Sequence, residues 1–155
     1  MTFEAVLEGG KSARRLIERG STDAQCIRTR RDTCRRQKQG RLSYLKGVAA
    51  EEQVANAYLR NGFEVVERRW KTKEGEVDLI ARHKDKLYFV EVKSSKTFES
   101  ALEQITPKQQ QRIHDAALRY LAEKAKKLEV DCRFDAALVD GQGRIKVLPG
   151  ILLDN

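Results

Sequence analysis

Apolar residues recur at regular intervals along most of the chain, but the first forty residues lack such a pattern. From Leu42 the apolar positions repeat every three or four residues as far as Asn61-Gly62, which predicts a helix that ends at a glycine. Residues 63–70, 76–82 and 87–93 are short stretches that mix apolar with charged residues or run nearly continuously apolar. These stretches predict three strands, and the polar residues between the last two predict a hairpin.

The second half of the chain adds one helix and two strands. Thr106 can cap a helix, Pro107 suits the first helical position, and Gln109 is placed to complete a capping box. Residues 134–139 and 145–148 predict the last two strands, with a glycine-containing turn between them. The element order α-β-β-β-α-β-β predicts one α/β domain over residues 41–155.

Positive charge is concentrated before this domain. Residues 1–40 hold ten Lys or Arg and five acids, in a chain whose formal net charge is +8. We predict a basic, mobile tail that is helical in part, and two interpretations stay open: a phosphate-binding arm, or a solvated extension without a specific role. No apolar run is long enough to span a membrane and no secretory signal is visible, so we expect a cytoplasmic protein.

The candidate chemistry lies in the hairpin of residues 76–93. If Arg82 pairs with Leu87, one face of the hairpin is wholly apolar and is expected to lie on the core. The other face sets Asp78 directly opposite Glu91, with Lys93 on the same side. Opposed like charges are destabilising, so a bound cation, a neighbouring lysine or protonation of one acid must offset them.

Two carboxylates and a lysine on one strand face suit metal-assisted hydrolysis of a phosphodiester. Carboxylate oxygens bind Mg²⁺, the metal polarises the phosphoryl group, and a lysine can orient the attacking water. The alternative is a surface hairpin held by salt bridges, such as one from Glu76 to Lys93. Spacing alone favours this alternative.

The longer motifs carry a family resemblance. Residues 75–81 (GEVDLIA) and 89–93 (FVEVK) resemble the signature of the YraN family, bacterial proteins described as endonuclease-like. They are also similar to the wider PD-(D/E)XK superfamily. The resemblance runs from about Gly47 to Leu148 and implies a restriction-endonuclease-like core, in which helices flank a mixed β-sheet. It further implies that Asp78 and Glu91 bind Mg²⁺ or Mn²⁺ and that Lys93 is the catalytic lysine.

Two further groups of residues are candidates for the site. An acid from the first helix often joins the site in this superfamily, and the helical count favours Glu52 over Glu51. Near the start of the second long helix, Lys108, Gln109 and Arg112 could face a nucleic-acid phosphate beside the helix N-terminus. A solvated polar face is the alternative for these three residues.

Three hypotheses follow from the sequence. The first is a metal-dependent nuclease that hydrolyses nucleic-acid phosphodiester bonds, with DNA as the favoured substrate. The second is a non-catalytic nucleic-acid-binding module on the same fold, and the third is a structural or adaptor protein. Dimers are common in the superfamily, so a homodimer stays open, whereas no membrane partner is expected.

Overall fold

The computed structural model describes residues 4–125 and 130–151, and within these ranges it describes side chains from residue 27 onward. Helix α1 runs from Glu4 to Arg60. Contacts divide the chain into one unit that ends at Tyr44 and a second that begins at Leu45. The backbone of the predicted tail is therefore helical from Glu4. Its mobility stays a prediction, and the basic side chains before residue 27 lie outside the described part.

The C-terminal end of α1 has the predicted glycine. Gly62 has a φ of +81°, a left-handed conformation that glycine adopts without strain. The Phe63 N–H donates to the Tyr58 carbonyl and the Gly62 N–H to the Leu59 carbonyl, both at 3.1 Å. This pattern of bonds closes the helix and turns the chain into the first strand.

One sheet of five strands forms the centre of the second unit. Its strands are β1 (Glu64–Lys71), β2 (Glu76–His83), β3 (Lys86–Ser94), β4 (Cys132–Val139) and β5 (Ile145–Leu148). They lie side by side in chain order, and β3 runs parallel to β4 while the other neighbours are antiparallel. A parallel pair needs a long crossover, which the helices between β3 and β4 supply. The mixed sheet flanked by helices confirms the predicted fold class and is consistent with a restriction-endonuclease-like core.

The crossover contains two helices, of which the sequence predicted the longer. Helix α3 (Pro107–Tyr120) starts at the predicted cap, where the Thr106 side chain accepts from the Gln109 N–H. A single π-helical turn, Leu121–Ala125, follows it. The short helix α2 (Phe98–Leu102) was not predicted, although Thr97 and Ser100 form a reciprocal capping box at its start. In α3 the predicted box is only half formed, because the Gln109 side chain turns towards the sheet.

Both faces of the sheet are buried. Leu79, Val90 and Val92 pack on the side covered by the end of α1, the face that was expected to lie on the core. Ile80 and Phe89 share the opposite face with the acids, as predicted, and they are fully buried on the side covered by α3. Val77 was expected beside Leu79, yet it packs with Ile80 and Phe89. The strand therefore changes its alternation between Val77 and Leu79, next to Asp78.

Trp70 anchors β1 to α3. Its indole N–H donates to the Ala116 carbonyl at 3.2 Å, and its ring meets the Tyr120 ring edge-on at 5.4 Å between centroids. The ring is consequently committed to the core and is not available to stack on a base. Within the described residues, no helix combines the length and apolar character needed to cross a membrane.

Gly75 allows the turn between β1 and β2 to lie directly against α3. A Cβ atom at this position would stand 2.4 Å from the Arg112 carbonyl oxygen. We therefore expect Gly75→Ala to lower the free energy of unfolding by about 1 to 3 kcal/mol in urea titrations, because backbone must move to make room. Gly47→Ala is the control, since nothing lies within 4 Å of that helical glycine. It is expected to be neutral or stabilising, and equal losses in both variants would contradict the packing argument.

Candidate active site

A cleft of about 480 Å³ opens where β2, β3 and the start of α3 meet. The cleft is lined by three acids and a lysine from the strands, and by residues at the start of α3: Glu76, Asp78, Glu91, Lys93, Thr106, Lys108, Gln109, Arg112 and Ile113. The structure therefore brings together six of the seven residues selected from the sequence. Glu52 lies elsewhere, on α1, and lines a different cleft.

The hairpin has the predicted register, but its ladder stops before the paired acids. Leu79 pairs with Val90, and the pairs continue as predicted to Arg82 with Leu87. Beyond Leu79 the backbone ladder does not continue. The Asp78 Oδ2 instead accepts from the Val92 N–H at 2.8 Å. A carboxylate thus fills the place of a backbone acceptor, and this bond fixes Asp78 next to Glu91.

Glu91 is the most deeply buried acid of the cleft, with 3% of its surface exposed. Its Oε1 is 2.6 Å from the Lys93 Nζ and also accepts from the Gln109 side-chain amide. Burial, together with the negative charge of Asp78, raises the pKa of Glu91 to about 8, while Lys93 opposes the rise. The isolated site therefore favours a proton on Glu91 near neutral pH.

Asp78 is held in a similar environment. Burial raises the pKa of Asp78, while the Val92 N–H, the Lys93 charge and a hydrogen bond with the Glu91 carboxyl group oppose the rise. The two carboxyl groups are thus in contact. The two acids therefore lie together as predicted. The bond from the Val92 N–H to the Asp78 side chain holds them there, instead of direct pairing of the two residues across the strands.

The donor set fits a hydrated magnesium or manganese ion. Asp78 Oδ1 and Glu91 Oε2 lie outside the bonds to Val92, Lys93 and Gln109. Mg²⁺ keeps several waters and needs only one or two carboxylates from the protein. Within the described residues, no cluster of three or more His, Cys, Asp or Glu side chains could enclose an ion. The site suits a partly hydrated ion rather than one ligated by protein alone.

Two acids of α1 lie in a smaller cleft on the other side of Asp78. This cleft, of about 150 Å³, is lined by both Glu51 and Glu52 and reaches Asp78 and Leu79. Burial raises the pKa of Glu51, and the Asp78 charge raises it further. The Glu52 side chain is 54% exposed and forms an ion pair with Arg68. Glu51 is therefore the helix acid that interacts with Asp78, whereas the helical count had favoured Glu52.

Arg69 is a residue of this region that the sequence did not single out. Its φ is +53°, a left-handed conformation that is uncommon outside glycine and asparagine. From this position its Nε lies 3.4 Å from a Glu51 oxygen and 3.3 Å from a Glu76 oxygen. Arg69 thus links an acid on α1 to an acid on β2, on either side of Asp78. No sequence pattern marks such an arginine, because left-handed backbone is expected at glycine.

Lys108, Gln109 and Arg112 of α3 all line the main cleft, and each has a different environment. Gln109 is bonded to Glu91, and the Arg112 Nε donates to the Glu74 carbonyl at 3.2 Å. Among the described residues, no carboxylate lies within ion-pair distance of Lys108. Lys108 is therefore the basic group of this helix that is available to an anion entering the cleft.

The raised pKa of Glu91 predicts how stability varies with pH in metal-free protein. Its ordinary value is 4.5 and its folded value is about 8, so the neutral form is favoured by folding. Its stabilising contribution is complete below about pH 4.5 and is lost as the pH rises through about 8. We expect the free energy of unfolding to fall by a few kcal/mol across this range. Urea titrations in EDTA across this pH range measure the fall in the free energy of unfolding. Glu91→Gln should flatten the plot of this free energy against pH. An unchanged slope in that variant would contradict the assignment.

The fold and the cleft define an α/β domain with a carboxylate and lysine site at one end of its sheet. A sequence model of UPF0102, described as an uncharacterised protein family, matches residues 50–139. The chain belongs to the UPF0102 family, and its resemblance to the YraN family is confirmed at this level. The matched range contains Asp78, Glu91 and Lys93.

Individual relatives match over most of their own length. A UPF0102 protein of Ruegeria pomeroyi is 45% identical over 109 residues, which cover 70% of this chain and 89% of the relative. A UPF0102 protein of Dinoroseobacter shibae is 42% identical over 118 residues, covering 76% of this chain and 88% of the relative. A third, from Bradyrhizobium diazoefficiens, is 37% identical over 97 residues, covering 63% and 73% respectively. Their names describe a family and no activity.

Proposed function

We propose that this protein is a metal-dependent nuclease that hydrolyses nucleic-acid phosphodiester bonds in the cytoplasm, with DNA as the favoured substrate. The observation that carries the proposal is that Asp78 and buried Glu91 line one cleft, with Lys93 Nζ 2.6 Å from Glu91 and the basic side of α3 across the cleft. Burying two acids together is unfavourable unless a cation or a proton compensates them. The superfamily resemblance to PD-(D/E)XK enzymes supports the same chemistry.

Each residue has a role that follows from its position. Asp78 and Glu91 would hold Mg²⁺ or Mn²⁺ through the oxygens that do not bond to Val92, Lys93 or Gln109. When bound, the ion polarises the phosphoryl group and lowers the pKa of a coordinated water. Lys93, fixed by Glu91, points its ammonium group into the cleft and stabilises negative charge that develops there. Gln109 keeps Glu91 in position through its side-chain amide.

Substrate phosphate would approach from the α3 side. Lys108 has no carboxylate partner among the described residues, and the N-terminal end of α3 adds the partial positive charge of the helix dipole. Arg112 is bonded to the turn at Glu74 and adds a second positive charge at the cleft wall. These groups contact a phosphate backbone and read no bases, so we expect cleavage to depend on the shape of the nucleic acid more than on its sequence.

Glu51 is the acid of α1 that we assign to this site. Its side chain is 22% exposed, and the negative charge of Asp78 contributes to raising its pKa. A cation at Asp78 would therefore also attract the Glu51 carboxylate. Its partner Arg69 can pair with Glu76 when Glu51 turns to the ion. Glu52 remains committed to Arg68 on the surface and serves as the matched control.

The test is calorimetric titration of Mg²⁺ and Mn²⁺ into wild type and into Asp78→Asn, followed by cleavage assays on duplex, branched and single-stranded DNA and on RNA. We expect binding of one ion by wild type, loss of that binding in Asp78→Asn, and loss of cleavage with nucleic-acid binding retained. Glu51→Gln should weaken metal binding more than Glu52→Gln. Cleavage that survives in Asp78→Asn would exclude the assigned site.

The same variants separate the proposal from its main alternative. A non-catalytic nucleic-acid-binding module would bind without cleaving, and Asp78→Asn would leave binding unchanged or strengthen it by removing a negative charge. An adaptor protein would show no notable affinity for nucleic acid and no dependence of affinity on salt. Either of these results would overturn the nuclease proposal.

A further inference from the structure

The segment of α1 from Arg28 to Arg41 has an unusual concentration of positive charge. It contains seven Lys or Arg residues and one acid, Asp32. Every side chain from Ile27 to Lys46 is exposed. This part of the helix therefore carries a dense field of cationic groups in direct contact with solvent.

These charges are not neutralised within the protein as far as it is described. Among the described residues, no carboxylate lies within ion-pair distance of any basic side chain between Arg28 and Lys46. Like charges one helical turn apart repel one another and destabilise the helix. A polyanionic partner would remove this repulsion, whereas solvent alone only screens it.

Four of the basic residues form a stripe along one side of the helix. Arg28, Arg31, Arg35 and Lys38 follow one another at intervals of three, four and three residues, the spacing of one helical face. At 1.5 Å per residue the stripe is about 15 Å long. That length corresponds to four or five base pairs of duplex DNA along its axis. The stripe can contact several consecutive phosphates.

The segment lacks the apolar face that a membrane-surface helix needs. Interfacial helices bury a row of large apolar side chains below the headgroups. Between Arg28 and Arg41 the sequence has no Leu, Ile, Val, Met, Phe, Trp or Tyr. The chemistry of the segment therefore matches a phosphate backbone in water better than an anionic bilayer.

We propose that the Arg28–Arg41 segment is a nucleic-acid-binding arm that contacts phosphates without reading sequence. It lies outside residues 50–139, the range matched by the family model. The arm would increase the affinity of the protein for nucleic acid through release of counterions from the nucleic acid. This effect does not depend on the activity of the second unit. The inference stands on this segment and holds whether or not the cleft hydrolyses its substrate.

The experiment measures binding of full-length protein to a fluorescently labelled DNA duplex by anisotropy, in EDTA and over a series of NaCl concentrations. The arm variant is Arg28→Gln, Arg31→Gln and Arg35→Gln together, because glutamine keeps the helix propensity of arginine. The matched control removes three exposed charges from the second unit: Arg60→Gln, Lys84→Gln and Lys146→Gln. Circular dichroism checks that helix content is unchanged in both variants.

We expect the arm variant to bind at least about tenfold more weakly, and its plot of log affinity against log salt to flatten by about 2 to 3 units of slope. The control should lose much less. Equal losses in the two variants would mean that net charge alone matters and would overturn the proposal, as would wild-type affinity in the arm variant. Sedimentation with phosphatidylserine vesicles tests the other anionic partner. Loss of vesicle binding without loss of DNA binding would also overturn it.

Discussion

Replacing Lys93 with methionine is expected to reduce the turnover number for nucleic-acid cleavage about a hundredfold or more while leaving nucleic-acid binding nearly unchanged. Methionine keeps the length of the side chain and removes the ammonium group that lies 2.6 Å from Glu91. A charge that stabilises the transition state inside a partly buried cleft contributes mainly to turnover. Cleavage kinetics over a range of substrate concentrations separate this effect from an effect on binding.

The matched variant is Lys108→Met, which removes the same charge from the opposite wall of the cleft. Because Lys108 has no carboxylate partner among the described residues, we assign it to substrate binding, and its loss should raise KM about three- to tenfold with a smaller change in kcat. If both lysine variants changed KM and kcat alike, the separate roles assigned to them would be wrong.

The pH profile of Lys93→Met offers a second readout. Lys93 lowers the pKa of Glu91, against the effects of burial and of Asp78. Its removal should therefore raise that pKa further, so that Glu91 ionises only at higher pH. Residual activity that needs ionised Glu91 would shift its optimum to more alkaline pH, a change that general loss of folding would not produce.

The strands and their register could be predicted because the hairpin of β2 and β3 is short and strongly apolar. A slip by one residue would move Asp78 and Glu91 to the apolar face that packs under the end of α1, so the pattern favours one pairing. The same pattern could not show that both faces are covered, since burial of Ile80 and Phe89 depends on where α3 packs. Covered faces are set by tertiary contacts that a single strand does not encode.

The centre of the site was predictable for a related reason. Alternation predicted Asp78, Glu91 and Lys93 on one face of the hairpin. They do lie together, although the ladder stops at Leu79 and the Val92 N–H bond to Asp78 holds that side chain in place. The choice between Glu51 and Glu52 was harder, because it depends on the rotation of α1 against the sheet. Arg69 was not predictable, since its role follows from a left-handed backbone conformation. Gln109 was selected for capping and for phosphate contact, and the structure adds its bond to Glu91.

Asp135 is fully buried away from the proposed cleft and connects three parts of the second unit. It forms a two-bonded ion pair with Arg133, with both distances 2.8 Å. It also accepts from the Gly150 N–H at 3.1 Å and from the Tyr58 hydroxyl at 3.4 Å. The Tyr58 bond reaches α1 and the Gly150 bond reaches the chain beyond β5. Asp135 therefore joins the edge of the sheet to the helix that carries Glu51.

Removing this carboxylate should have a large effect on stability. In Asp135→Ala the Arg133 guanidinium, the Tyr58 hydroxyl and the Gly150 N–H lose their shared acceptor in the interior. The Arg133 side chain is 37% exposed and can be rehydrated, so the cost comes mainly from leaving the Tyr58 hydroxyl and the Gly150 N–H without an acceptor, at about 1 to 3 kcal/mol each. We therefore expect the free energy of unfolding in urea to fall by about 2 to 4 kcal/mol. Asp131→Ala is the matched control, because Asp131 is 70% exposed and pairs with Lys86 at the surface. It should cost no more than about 1 kcal/mol.

The Asp135 variant also separates stability from chemistry. Asp135 does not line the cleft, so the fraction of Asp135→Ala that is folded should bind Mg²⁺ with wild-type affinity at low temperature. Losing metal binding in folded protein would mean that the connection from Asp135 through Tyr58 to α1 positions the site. A loss of stability below about 1 kcal/mol would instead mean that Tyr58 and Gly150 do not depend on the Asp135 carboxylate, and the assigned network would be wrong.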